Sequence, residues 1–324
     1  MDCEPAVYEH AAYLIGRTPW EVSRDPDLLF EAHAEAFRRY RHRPVVVSID
    51  IYNLEAEAYG AVLREPQATG IPAVDRPICR SAADLASLEP LDPAAGRIPM
   101  SIDVARRLAA HLPEADVRLP MAGPFSIASN LLGFETLLVE MLEHPDETAD
   151  GLMHLARGQA RFCQAVRDAG LDIAFFESAA APPLVSPALF RRIEFPALKA
   201  VIEGAAAIVG HPVPCVIGGD TAPILESILQ TGTNYVICPI ETDQPAFMAK
   251  IRDRLDVRVR INASPAIMAR GSRDELRAEV ERIHRLALGR KNVSMGTSAL
   301  PYETPPENVL YVKEFCRSLA PSNA

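Results

Sequence analysis

Polar side chains able to hold a small molecule recur at one kind of place in this sequence, directly after short apolar runs. The run 44–49 ends at Asp50, followed by Tyr52, Asn53, Glu55 and Glu57. The run 117–122 leads through Gly123-Pro124-Phe125 to Ser126, Ser129 and Asn130. The run 171–176 ends in Glu177-Ser178, and 212–218 in Gly219-Asp220-Thr221. Runs 235–239, 257–261 and 292–295 end near Glu241, at Asn262 and at Gly296-Thr297-Ser298. Carboxylates that share a cleft shift one another's pKa and can serve as general acids or bases. Hydroxyls and amides beside them orient a substrate. We therefore take Asp50, Glu177 and Ser178 as candidate catalytic residues. Tyr52, Asn53, Ser126, Ser129, Gly219, Asp220, Thr221, Glu241, Asn262 and Thr297 are the candidate substrate-binding set. A Gly-Gly turn that opens a helix can also hold a carboxylate or phosphate through backbone N–H groups. The competing role for Asp220, Thr221, Thr242 and Asp243 is helix capping, which Asp and Thr favour.

Other chemistries find no residues to carry them. None of the eight histidines lies at an expected C-terminal strand end, so neither a histidine-rich metal site nor a Ser-His-Asp triad is expected. Gly-Gly-Asp at 218–220 is not a dinucleotide fingerprint, and neither GxSxG nor a phosphate-binding P-loop occurs. No cofactor or metal of the chain's own is expected.

The elements that must place these residues alternate between strand and helix. Helices are expected near 19–24, 26–40, 101–112, 126–142, 145–169, 187–209, 222–231, 243–254, 272–288 and 305–319. Thr18-Pro19-Trp20-Glu21 reads as a cap, a first-turn proline and a capping-box glutamate. Strands that alternate with helices and end in polar turns predict an α/β fold, a (β/α)8 TIM-type barrel with its site at the strand C-termini. Seven strands can be counted, one short of eight. The eighth is either hidden in the proline-rich stretch 60–100 or missing from a distorted barrel. Residues 1–324 read as a single domain, with an N-terminal helical segment at 1–42 and the barrel at 43–324.

Composition narrows the partners. Apolar residues make up 48% of 324 residues, enough for a full core, while aromatics at 6% leave Ala, Leu, Val and Ile to build it. A net charge of −10 argues against nucleic acid or an anionic membrane as partner. The six cysteines form no CxxC pair, and several lie in apolar runs, as reduced thiols of a cytoplasmic protein would. The acidic start Met-Asp-Cys-Glu-Pro does not read as a signal peptide, and no apolar run reaches a membrane span.

The segments 49–60 (Ile-Asp-Ile-Tyr-Asn-Leu-Glu-Ala-Glu-Ala-Tyr-Gly), 122–125, 175–178, 219–225 and 304–308, in order and spacing, resemble the uroporphyrinogen decarboxylase superfamily. That superfamily also holds the corrinoid-dependent methyltransferases. The likeness runs over about 43–318 and implies a barrel with substrate in the C-terminal mouth and, by analogy, a homodimer. In the decarboxylases an Asp after the first strand contacts pyrrole nitrogens, and Asp50 matches it; Ser178 matches the serine after the third strand. Their tyrosine falls near Ser129 and their last-strand histidine at Thr297. The zinc positions of the methyltransferase branch fall on Val216, Gly218 and Thr297, none of them a thiolate or imidazole. The Glu-Ala-Glu-Ala-Tyr-Gly run after Asp50 is closer to that branch. The expected function is therefore a decarboxylase-like lyase acting without zinc on an anionic or tetrapyrrole-related small molecule. The alternatives are corrinoid-dependent methyl transfer with a separate corrinoid protein, and a ligand-binding barrel without catalysis.

Overall fold

Eight parallel strands form one curled sheet: β1 (Cys3–Ala6), β2 (Val45–Val46), β3 (Val117–Ala122), β4 (Asp172–Glu177), β5 (Cys215–Ile217), β6 (Tyr235–Cys238), β7 (Arg258–Asn262) and β8 (Val293–Ala299). The computed structural model describes residues 1–178 and 180–319. From β2 to β8 each strand pairs with its neighbour in sequence, and β1 pairs with β8. β1 and β2 stand at the two edges of the sheet and share no ladder. Ala6 and Tyr8 nonetheless pack with Val46 across that seam. This is the (β/α)8 architecture, opened at one seam.

The eighth strand is β1, inside the segment 1–42 read from sequence as helical. The stretch 60–100 instead carries an antiparallel ribbon, Leu63–Arg64 against Ala73–Val74, and a short helix, Ala82–Ala86. Three other elements differ from expectation. The run 126–142 is two helices, Pro124–Leu132 and Phe134–Glu143, broken at Gly133, whose φ of +87° favours glycine. The helix expected at 222–231 shrinks to Leu225–Leu229. The helical run 187–209 contains a π turn, Phe190–Glu194, ahead of the helix Phe195–Val209.

Side-chain alternation splits each strand between two environments. Val45, Val47, Leu119, Met121, Ile173, Phe175, Cys215, Ile217, Val259 and Ile261 face the helices and form the main core. The opposite face supplies a smaller cluster of Ala6, Tyr8, Val46, Ile51, Ala174 and Phe176, with Tyr52 and Val216 packed against it, in the barrel lumen. All six cysteines are buried and free. Among the described residues, no single helix is long and apolar enough to cross a membrane.

Candidate active site

A cavity of about 390 Å³ lies at the C-terminal ends of β1, β2, β3, β4 and β8. Its walls hold Tyr8 and Glu9 after β1, Asp50, Tyr52 and Asn53 after β2, and Ser126, Ser129 and Asn130 after β3. Ser178 follows β4, and Ile71 and Pro72 reach over from the ribbon. That volume suits a small organic molecule. No Lys or Arg is among the described residues that line it.

Asp50 is fixed rather than free. Arg97 grips it with two hydrogen bonds, Nη1 to Oδ1 at 2.9 Å and Nη2 to Oδ2 at 2.6 Å. Arg97 also donates to Glu57 through Nε and to the Ser23 carbonyl at 3.0 Å. Glu57 in turn accepts from Arg24. The chain Asp50–Arg97–Glu57–Arg24 ties the mouth to the helices Pro19–Arg24, Leu54–Ala58 and Ile98–His111. On the mouth side, Asn53 Nδ2 donates to Asp50 Oδ2 at 3.1 Å and to the Pro72 carbonyl at 2.7 Å. Asn130 Nδ2 reaches the Tyr52 carbonyl at 2.7 Å. The amide of Asn53 thus fastens the ribbon over the cavity.

Glu177 faces away from the mouth. Phe176 points into the lumen, so the next residue points outward and Ser178 inward again. Fully buried, the Glu177 carboxylate accepts from the backbone N–H of Ser126 at 2.7 Å and of Phe125 at 3.3 Å, and from the Ser126 hydroxyl. It sits on the N-terminus of the helix Pro124–Leu132, where a negative charge is favoured. A Cβ at Gly123 would lie 2.0 Å from Glu177 Oε2, so that approach requires glycine. Ser126 Oγ then accepts from the Ser178 N–H at 2.8 Å and lies 3.3 Å from Ser178 Oγ. Glu177 therefore positions Ser126 and Ser178 without lining the cavity.

Behind it stands Glu194, on the π turn. Burial pushes both carboxyls up, and the charge of Glu177 pushes Glu194 further. No other described group bonds either Glu194 oxygen. A protonated Glu194 donating to an ionised Glu177 satisfies the pair.

The remaining predicted residues lie outside this cavity. Asp220 accepts from Thr242 Oγ1 at 2.6 Å, and its N–H donates to the Pro182 carbonyl at 3.2 Å. The Ala222 N–H is taken by Thr242 Oγ1 at 3.0 Å. The turn that was expected to hold an anion therefore already spends these two donors inside the protein. Gly219 adopts a φ of +91° in that turn. Neither Asp220 nor Thr221 caps the helix Leu225–Leu229, whereas Asp243 does cap Gln244–Lys250. Thr221 is buried, and Glu241 stands exposed. Asn262 faces the lumen, where it accepts from Arg260 Nε at 3.2 Å. Thr297 is fully buried, and its hydroxyl accepts from the Ala6 N–H at 3.1 Å, joining β1 to β8.

Sequence reasoning missed Tyr8, Glu9 and Arg97. Burial pushes Glu9 up to about 7, placing a carboxyl that titrates near neutrality in the mouth wall. The signal for the first two was the run Pro5–Tyr8 ending at an acid, the pattern of the other strands. Arg97 had none; it is one of four arginines in the proline-rich stretch 60–100. Of the zinc positions implied by resemblance, Val216 faces the lumen and Thr297 is committed to β1, so these residues do not fit zinc. Among the described residues, no three His, Cys, Asp or Glu side chains are grouped to hold a metal ion.

An eight-stranded parallel barrel with a polar cavity at the strand C-termini defines the class. Residues 6–319 match the uroporphyrinogen decarboxylase (URO-D) family, and the chain belongs to it. A methyltransferase from Methanosarcina mazei has a similar structure, with a TM-score of 0.80 at 20% identity, covering 98% of this chain and 93% of that one. A putative vitamin-B12 independent methionine synthase from Listeria monocytogenes aligns with a TM-score of 0.39 at 13% identity, over 55% of this chain and 57% of that one. No curated protein matches this chain in sequence.

Proposed function

We propose that this protein is a methyltransferase that takes a methyl group from a small neutral or cationic N- or O-methyl compound bound in the mouth, working with a corrinoid carried on a separate protein. The observation that carries this reading is the lining of the cavity. Its described residues offer hydroxyls, amides and two carboxyls but no cation. A polycarboxylate substrate needs cationic partners to replace its water, and Asp50 already consumes Arg97. The decarboxylase reading therefore lacks the groups its substrate demands. A fold shared with a methyltransferase is in keeping with methyl transfer.

The corrinoid would supply the methyl-accepting chemistry. The chain's own residues bind and orient the donor: Ser126, Ser129, Ser178 and Asn130 from one side, Tyr8 and Tyr52 from another. Loss of a methyl group leaves an oxygen or nitrogen that gains from a proton. Glu9, with a pKa of about 7, can deliver one. Ile71 stands half exposed where the ribbon meets the mouth, an apolar contact for the partner.

The test mixes the protein with free cob(I)alamin and a panel of methylamines and aryl methyl ethers, and follows methylcobalamin absorbance. Donor-dependent methylation that falls with Asn130→Ala supports the proposal. Release of carbon dioxide from a carboxylate substrate, without methyl transfer, sinks it.

A further inference from the structure

A second cavity, of about 550 Å³, lies in the lower barrel and opens at the N-terminal ends of the strands, opposite the mouth. TIM-barrel interiors are normally filled by layers of Val, Ile and Leu. This one is not, because β7 turns Arg258, Arg260 and Asn262 inward. Tyr8 and Phe176, edge to face at 5.9 Å, lie on its upper side, and Tyr8 also lines the mouth.

The charge in this cavity opposes that of the protein. Seven Arg or Lys side chains and three carboxylates line it, in a chain of net charge −10. Some of the cations are already paired. Arg118 meets Asp116 and Asp172, and Arg258 meets Glu4, which also accepts from the Tyr235 hydroxyl at 3.3 Å. Arg260 is different. It is 7% exposed and forms no ion pair among the described residues. Its sole hydrogen bond there is Nε to Asn262 Oδ1 at 3.2 Å, which leaves both Nη groups to the cavity. The side chain is also specifically accommodated: a Cβ at Gly296 would lie 2.7 Å from Arg260 Cδ and 2.3 Å from Asn262 Oδ1. Glu4 acts on it only at a distance, without a direct ion pair, and an apolar residue at that buried position would be cheaper for folding. Arg43 and Arg317 stand exposed on the rim of the same opening, without carboxylate partners among the described residues.

We propose that the barrel lumen is a binding site for a small oxyanion, a phosphate or carboxylate group held by the two Nη groups of Arg260 and admitted past Arg43 and Arg317. The planar fork of Arg suits either group. The site shares with the mouth only Tyr8 among the described lining residues and does not depend on the reaction performed there.

The experiment titrates inorganic phosphate and, in a second arm, succinate into the full chain by calorimetry at low ionic strength. Saturable binding of one anion per chain is expected, and the preferred arm names the group. Arg260→Met should weaken it by at least about tenfold, the loss of one or two charge-assisted hydrogen bonds. Asn130→Ala, in the mouth, should leave it unchanged. Arg260→Gln, which keeps a donor toward Asn262, replaces the methionine variant if that fails to fold. Absence of binding in both arms, or binding that Arg260→Met or Arg260→Gln leaves intact, overturns the proposal.

Discussion

Both oxygens of Asp50 are held by Arg97, and both side chains are largely buried. Truncating Asp50 to Ala leaves the Arg97 guanidinium with the Ser23 carbonyl and, among the described residues, with Glu57 as its one carboxylate, a loss of about 3 kcal/mol for breaking a buried pair. Urea unfolding should show that loss, and Asp50→Asn combined with Arg97→Met should recover part of it. Activity lost in Asp50→Ala would therefore report a collapsed mouth and not a missing proton carrier. Glu9 offers the opposite case. Burial pushes it up to about 7, so it is protonated below that pH and ionised above. If it donates the proton, methyl transfer falls as pH rises through about 7, and Glu9→Gln removes that limb of the profile while lowering the rate roughly 10²-fold, the low end for a general acid. A limb that survives in Glu9→Gln assigns the titration elsewhere.

The strand ends explain why part of the site was readable from sequence. A polar residue after an apolar run is a recognisable signal, and Asp50, Tyr52, Asn53, Ser126, Ser129 and Ser178 do meet at one cavity. The signal does not carry direction. Glu177 and Ser178 are adjacent, yet the two-residue period sends one to a helix N-terminus and the other to the mouth. β1 went uncounted although its run Pro5–Tyr8 ends at an acid as the others do, because that run passes directly into helical sequence, Glu9–Leu14, and reads as part of it. The π turn was equally silent, since the apolar spacing of 187–209 suits an unbroken α-helix. That turn brings Glu194 against Glu177, and the pair makes stability depend on pH. A carboxyl raised on folding binds its proton more tightly when folded, so its contribution is full below about pH 4.3 and fades as pH rises towards the folded value. Glu194→Gln keeps a donor for Glu177 and cannot ionise. Its urea midpoint should exceed that of the unaltered protein by more at pH 8 than at pH 5; an equal gap at both would mean that folded Glu194 holds no proton anywhere between pH 5 and pH 8.

At the scale of the molecule, closure depends on residues almost 300 positions apart. β1 lies on β8, the Thr297 hydroxyl accepts from the Ala6 N–H, and Lys313 Nζ donates to the Cys3 carbonyl at 3.0 Å. Thr297→Val keeps the volume and removes the acceptor, leaving the buried Ala6 N–H unsatisfied at a cost of about 1–3 kcal/mol. Hydrogen exchange should then show faster exchange at Ala6 with little change at Val259 and Ile261. Uniform loss of protection would mean that the whole sheet, and not the β1–β8 junction, depends on this bond.

The same pairing sets a timetable for synthesis. A ribosome adding about 5–20 residues per second makes residues 3–6 long before their hydrogen-bonding partners at 293–299. For roughly 15–60 seconds at that rate the first strand has nothing to pair with, and the growing sheet keeps an open edge. An unpaired strand edge is thus exposed through that interval, and slowing translation between residues 6 and 293 should raise the aggregated fraction.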